Sequence, residues 1–177
     1  MAVDSQIGNY SPDDFTVVLS KGDFVHRVTG FADGSFLSMD RLVPSSTPYA
    51  GVGFNSSGRV KRRVSSMTID VTLHQYSPSN TVLQQLQIAD ANTAGNEYVF
   101  AVTLKDLSGQ TVVSSNSAII AAPPTAEFSS ETSTRTWQLY LFGSDLFIGG
   151  NMLLAPDEVA AVESLGGVVE DKWRLNP

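Results

Sequence analysis

Nine consecutive positions, residues 66–74, alternate without a break: Met67, Ile69, Val71 and Leu73 hold one parity and Ser66, Thr68, Asp70, Thr72 and His74 the other. A period of two sends successive side chains to opposite faces of an extended strand. One face is apolar, the other is polar, and a strand of this kind must be covered on its apolar side by a second layer. The pattern recurs along the chain. Phe15, Val17 and Leu19 interleave with Thr16, Val18 and Ser20, and after Lys21-Gly22-Asp23 a second run occupies 24–31, which predicts a hairpin. Asp33-Gly34 marks another turn ahead of a run at 36–42. Tyr98, Phe100, Val102 and Leu104 alternate again and lead through Asp106-Leu107-Ser108-Gly109 into a strand at 111–115, with a further run at 117–122 that stops at Pro123-Pro124. Trp137, Leu139 and Leu141, set between Thr136, Gln138 and Tyr140, make the last long strand.

Helical spacing interrupts this series twice. Ser77 followed by Pro78 is a helix start, Ser as cap and Pro at the first helical position, and Val82, Leu83, Leu86 and Ala89 follow at helical intervals before Gly95. Near the C-terminus Pro156, Asp157 and Glu158 suit a first turn, since acids complement the helix dipole. Val159, Val162 and Leu165 follow, and Gly166-Gly167 ends the run. The fold expected is mainly β: a β-sandwich or barrel of about seven strands flanked by one α-helix, plus a short C-terminal helix. Residues 1–150 read as the β-domain and 151–177 as a helical extension.

Composition narrows the function. Only 16% of residues are charged, against about 25% in ordinary soluble domains, so hydroxyl and amide side chains must make up much of the surface. The net charge of −7 repels phosphate, whereas DNA binding requires a basic face that releases counterions. A wall past which DNA slides without sticking is compatible with that charge. The chain has no cysteine, which excludes disulfides and thiolate chemistry. Residues 1–10 lack the basic start and apolar centre of a secretory signal. The apolar run 118–122 falls far short of the roughly 20 residues a span needs, and no stable membrane association is expected.

Two adjoining segments point outward. Residues 43–58 crowd Pro44, Pro48, Gly51, Gly53 and several serines into a stretch with few apolar anchors. It reads as a long loop or extended arm, and loops of this length in compact domains are usually functional. At its exit Arg59, Lys61, Arg62 and Arg63 place four of the 11 basic residues within five positions. With no aromatics between them, they fit an inter-subunit contact better than nucleic acid, and a solvated basic turn is the alternative. The five acids between Asp157 and Asp171 are a natural counterpart.

No chemistry-bearing motif emerges. Phosphate-cradling, metalloprotease and nucleophile-elbow patterns are absent, and Gly51-x-Gly53 lacks the setting of a dinucleotide loop. Asn55-Ser56-Ser57 fits the glycosylation triplet but has no secretory context. His26 and His74 read as polar strand residues, and acid pairs such as Asp13-Asp14 read as solvated surface. No catalytic, cofactor or metal site is expected.

The stretch 62–90, RRVSSMTIDVTLHQYSPSNTVLQQLQIAD, resembles a family of phage structural proteins associated with contractile, myovirus-type tails; its most specific part is Ser77-Pro78-Ser79-Asn80. FAVTLKDLSG, RTWQLYLFGSDLFIGG and DFTVVLSKGDFVHRVTGFADG are similar to the same family, so the resemblance covers roughly residues 10–150. It implies a tail-tube-like fold: two sheets in a sandwich flanked by a helix, with hexameric rings whose inner sheets join around a lumen. It also implies a virion location in the tail, assembly in the host cytoplasm, a sheath protein outside, baseplate and terminator proteins at the ends, and genomic DNA passing without specific binding. A tube-end or baseplate ring component is the alternative within that fold. A carbohydrate-binding sandwich is the alternative outside it, and would need an exposed aromatic platform. Polarity and acidity make Thr68, Asp70 and Thr72 the candidates for the lumen; the alternative is that Asp70 faces outer solvent or pairs with a nearby basic residue. The arm residues Pro44, Pro48, Gly51, Gly53, Arg59, Lys61, Arg62 and Arg63 are the candidates for inter-subunit contact.

Shortening 43–58 is expected to leave a folded domain that fails to form normal tubes, because this segment cannot build a core of its own. Circular dichroism and electron microscopy of the shortened protein check both halves; normal tubes would show that the arm is not the stacking element.

Overall fold

A computed structural model of the chain describes residues 7–53, 56–63 and 65–175. The first six residues of the N-terminal segment, and Asn55 of the glycosylation triplet, lie outside the described residues. Ten strands and two α-helices are present in them: β1 (Phe15–Lys21), β2 (Phe24–Arg27), β3 (Leu37–Arg41), β4 (Ser46–Ala50), β5 (Ser57–Lys61), β6 (Met67–His74), α1 (Ser79–Ala91), β7 (Phe100–Asp106), β8 (Val112–Ile120), β9 (Thr134–Phe142), β10 (Asp145–Phe147) and α2 (Pro156–Ser164). Eight strands form one antiparallel sheet in the order β2-β1-β7-β8-β9-β6-β3, with β10 also paired to β8; β4 and β5 pair only with each other.

The alternation read from the sequence is the alternation of burial. Met67, Ile69, Val71 and Leu73 of β6 are 0–1% exposed. Val17 and Leu19 of β1, Phe100, Val102 and Leu104 of β7, and Trp137, Leu139 and Leu141 of β9 join them in one core. The sheet curls so that its margins meet over this core. After β2, the Val28 N–H donates to the Val17 carbonyl of β1, and the His74 N–H of β6 donates to the Gly30 carbonyl, both at 2.9 Å. The Phe15 and Phe36 rings then pack edge-on, 5.7 Å apart. The mainly β, helix-flanked class holds, but one curled sheet takes the place of two separate ones.

Helix α1 is fixed to this curl by the Ser77-Asn80 segment. The Ser77 hydroxyl donates to the Thr29 carbonyl, and Ser79 Oγ receives the Thr29 N–H at 2.9 Å. Asn80 Nδ2 donates to the His74 carbonyl at 2.8 Å, while its Oδ1 accepts the buried Trp137 Nε1–H at 2.8 Å. The close approach explains Gly30, which has φ +74°; a Cβ there would lie 2.7 Å from Ser77 Cβ. Ser77 supplies the capping hydroxyl that the sequence indicates, although the regular helix starts one residue later. Ser77 Oγ accepts the Ser79 N–H at 3.2 Å, and the helix begins at Ser79 rather than Pro78.

Other departures have local causes. The run 24–31 is a strand only to Arg27, because Gly30 turns the chain toward β6. The runs 111–115 and 117–122 are one strand, β8. Its pairing with β7 shifts register at a bulge between Phe100 and Val102. The Ser115 hydroxyl donates to the Phe142 carbonyl at 2.7 Å and accepts the Ser117 N–H at 3.2 Å, satisfying groups that the shift would orphan. Segment 43–58 is largely a hairpin: β4 and β5 pair from Ser46↔Lys61 to Ala50↔Ser57. It escapes periodicity because neither of its faces is buried. In α2 Val159 is buried, but Leu165 is 89% exposed rather than part of an apolar stripe. No helix among the described residues is long and apolar enough to cross a membrane.

Asn80→Ala is expected to destabilise the subunit by about 1–3 kcal/mol, since it leaves the Trp137 Nε1–H without its acceptor; denaturant unfolding measures this. His26 supplies a second test. Its Nε2 lies 2.9 Å from Ser79 Oγ, and burial lowers its pKa from the ordinary 6.5. The unfolded chain therefore takes up this proton first as pH falls, so stability is full above about pH 6.5 and declines below it. His26→Gln should flatten that part of the pH profile.

Candidate assembly surfaces

The polar parity of β6 forms one face with its neighbours. Register places Asp70 between Ser38 of β3 and Gln138 of β9, Thr68 between Asp40 and Tyr140, and Thr72 beside Thr136. These side chains bond to one another: Thr72 Oγ1 and Thr136 Oγ1 are 3.0 Å apart, Gln138 Nε2 donates to Asp70 Oδ1 at 2.9 Å, and the Tyr140 hydroxyl donates to Gln138 Oε1 at 2.6 Å. Thr68, Asp70 and Thr72 thus share a single continuous surface of hydroxyls, an amide and carboxylates. Lys and Arg are absent from this parity of β3, β6 and β9. Arg41 and Arg135 lie on the opposite parity, level with Met67 and Leu73. Where His74 closes the row, its ring stacks on Tyr76 at 4.9 Å and its Nε2 is 3.9 Å from Asp33 Oδ2.

The arm is a second surface. Pro44 precedes β4, Pro48 lies within it opposite Arg59, and Gly51 and Gly53 lie in the turn beyond its end. Proline is tolerated in β4 because the arm is all edge. Arg59 and Lys61 project from β5, and Arg62 and Arg63 continue past it; all four are exposed. Tyr49, Val52 and Val60 are exposed on the same arm. A free two-stranded ribbon is at best marginally stable in water, so apolar groups on it favour a partner.

The C-terminal extension forms the third surface. Asn151 Nδ2 donates to Asp106 Oδ2 and to the Ser108 carbonyl, both at 3.0 Å. The Asp106 carboxylate, itself buried, also accepts the Ser108 N–H and hydroxyl. Arg174 ties the extension to itself, reaching Glu163 at 2.8 Å and the Val169 carbonyl at 3.1 Å. Sequence reasoning took Asp106 for an ordinary turn residue. Asn151, forty-odd positions on, gives no local signal of the pairing.

Nothing here assembles a reactive centre. His26 and Ser79 are within bonding distance, but Ser79 is fully buried and its hydroxyl is engaged with Thr29, with no carboxylate behind the histidine. Among the described residues no three His, Cys, Asp or Glu side chains are grouped to hold a metal ion. No protein-family model matches the chain. Structural protein ORF10 of Pseudomonas phage KPP10 is 31% identical over 166 residues, covering 93% of this chain and 95% of that protein. The chain belongs to this family of phage structural proteins. The phage structural protein described here is thus a virion component, and membership of a structural family suggests a role other than catalysis.

Asn151→Ala is expected to loosen the C-terminal extension while sparing the sheet, because it removes the main side-chain anchor between them. Amide hydrogen exchange should rise in 151–175 and stay unchanged in β6 and β9.

Proposed function

We infer that this phage structural protein is the inner tube subunit of a contractile tail. In this reading hexameric rings stack into a tube, the genome passes through the lumen, and the tube meets a sheath outside and baseplate and terminator proteins at its ends. The observation that carries the reading is the polar face of β3, β6 and β9. Its hydroxyls, amide and acids lack any cation that would grip phosphate, and that is what a wall for moving DNA requires. Thr68, Asp70 and Thr72 line the bore. One carboxylate at Asp70, repeated in every subunit of every ring, gives a field that adds along the channel. The open edges of β2 and β3 are available for closure around a ring, which removes exposed strand edges. The arm and its arginines make contacts between subunits.

A tube-end or baseplate ring protein is the second reading, favoured by the extension that Asn151 pins beside the β7–β8 turn. A carbohydrate-binding module is disfavoured because Trp137 is only 2% exposed.

Negative-stain microscopy of the purified protein is expected to show rings or tubes with an open lumen, and a dispersed monomer at high concentration would count against the tube. Asp70→Lys should leave particles intact and slow genome ejection, with the defect easing as salt shortens the interaction. Ejection at the normal rate would remove Asp70 from the bore.

A further inference from the structure

Positive charge is segregated in this chain. Between positions 41 and 63 there are five basic side chains and no acid, leaving six basic and 18 acidic residues, net −12, on the rest. Three of the five meet in one place. Arg41 ends β3, Arg62 and Arg63 follow β5, and together with Ser45, Ser65 and Asp145 they line a cleft of about 590 Å³ at the root of the arm. Its walls are held by backbone bonds: Arg62 N–H to the Ser45 carbonyl at 2.9 Å, Leu42 N–H to Ser66 at 3.2 Å, and Ser144 N–H to Ser65 at 3.0 Å. The arginines therefore converge on a preformed site.

Of the Arg41 side chain, Nη1 is sealed from solvent and has no hydrogen-bond partner, a condition shared by no other buried side-chain nitrogen or oxygen among the described residues. Withdrawing a guanidinium nitrogen from water without giving it an acceptor is unfavourable. The ion pairs of the described residues involve His74, Lys172 and Arg174, and none involves Arg41, Arg62 or Arg63. Asp145, the acid in the cleft wall, is not within ion-pair distance of them. Three guanidinium forks around a cleft, none of them ion-paired among the described residues, match the geometry of a carboxylate.

We propose that this cleft is a carboxylate socket, filled by Asp157 from the C-terminal extension of a second copy of the chain. The proposal rests on the assembly reading above. The extension from 151 on carries five acids against Lys172 and Arg174, and four of the five are already occupied. Glu158 accepts the Ala155 N–H at 2.8 Å, Glu163 and Asp171 face Arg174, and Glu170 faces Lys172. Asp157, exposed on the first turn of α2, has no bond or ion pair among the described residues. A socket on one copy and its plug on the next make a heterologous contact, the kind that repeats around a ring.

Because the chain has no cysteine, the contact can be trapped directly. Arg63→Cys chains mixed with Asp157→Cys chains under mild oxidation should give disulfide heterodimers well in excess of either homodimer. Arg41→Gln with Arg62→Gln should raise the concentration for half-assembly by about tenfold or more, as expected when one partner of a buried charge pair is removed. The isolated Arg41→Gln subunit should be at least as stable as the parent, since it loses a guanidinium nitrogen sealed from water without a partner; an arginine with a merely structural role would lower stability. Rings with unaltered assembly by the Gln variants and no excess of heterodimer would overturn the socket and leave the tube reading intact. Heterodimers without rings would keep the socket and remove the tube. Duplex DNA retained by the parent and released by the Gln variants would assign the cleft to phosphate, and that also overturns the proposal.

Discussion

The hydrogen bond from Trp137 Nε1 to Asn80 Oδ1, 2.8 Å long and made by a tryptophan only 2% exposed, is the constraint on which the arrangement of helix and sheet depends. Asn80 gives its amide hydrogens to the His74 and Gln75 carbonyls at the end of β6, so one side chain joins β9, the β6 exit and the first turn of α1. With the helix start fixed there, Ser77 and Ser79 are in reach of Thr29. The segment 28–36 is thereby drawn from the β1 margin to the β6 margin. The curl of the sheet, and the single enclosed core that follows, depend on this small polar knot.

Much of the fold was legible because burial imposes a period on the sequence. Every long strand in the sheet has one face in the core, and alternation at Met67, Ile69, Val71 and Leu73 reports it directly. The hairpin arm was legible only as irregularity. Nothing in it is buried, so pairing Thr47 with Val60 or Pro48 with Arg59 leaves no mark on the hydropathy. Strand β10 is three residues long with only Leu146 turned toward the core, too short to carry a period. The polar parity of β6 could be named from the sequence. Its bonding to Gln138, Thr136 and Tyr140 could not, since register between distant strands is set by the whole sheet.

The charge distribution follows the same division of labour. The acid-rich remainder carries a net −12, while five of the 11 basic residues lie in the arm and its root with no acid among them. Exposed charges contribute little to the stability of an isolated subunit. Their placement instead governs which surfaces approach one another, and how association responds to salt.

The arm also determines how the subunit takes mechanical load. Strand β3 runs into the arm and β6 runs out of it, so a pull on the hairpin draws β3 and β6 along their own axes in the same direction. The five register pairs between them move together and bear none of the force. It falls on the β6–β9 ladder, where eight register pairs from Met67↔Leu141 to His74↔Thr134 lie crosswise to the pull. In that shear geometry the bonds share the load and must yield together rather than unzip one by one, which makes the arm a stiff handle on the middle of the sheet.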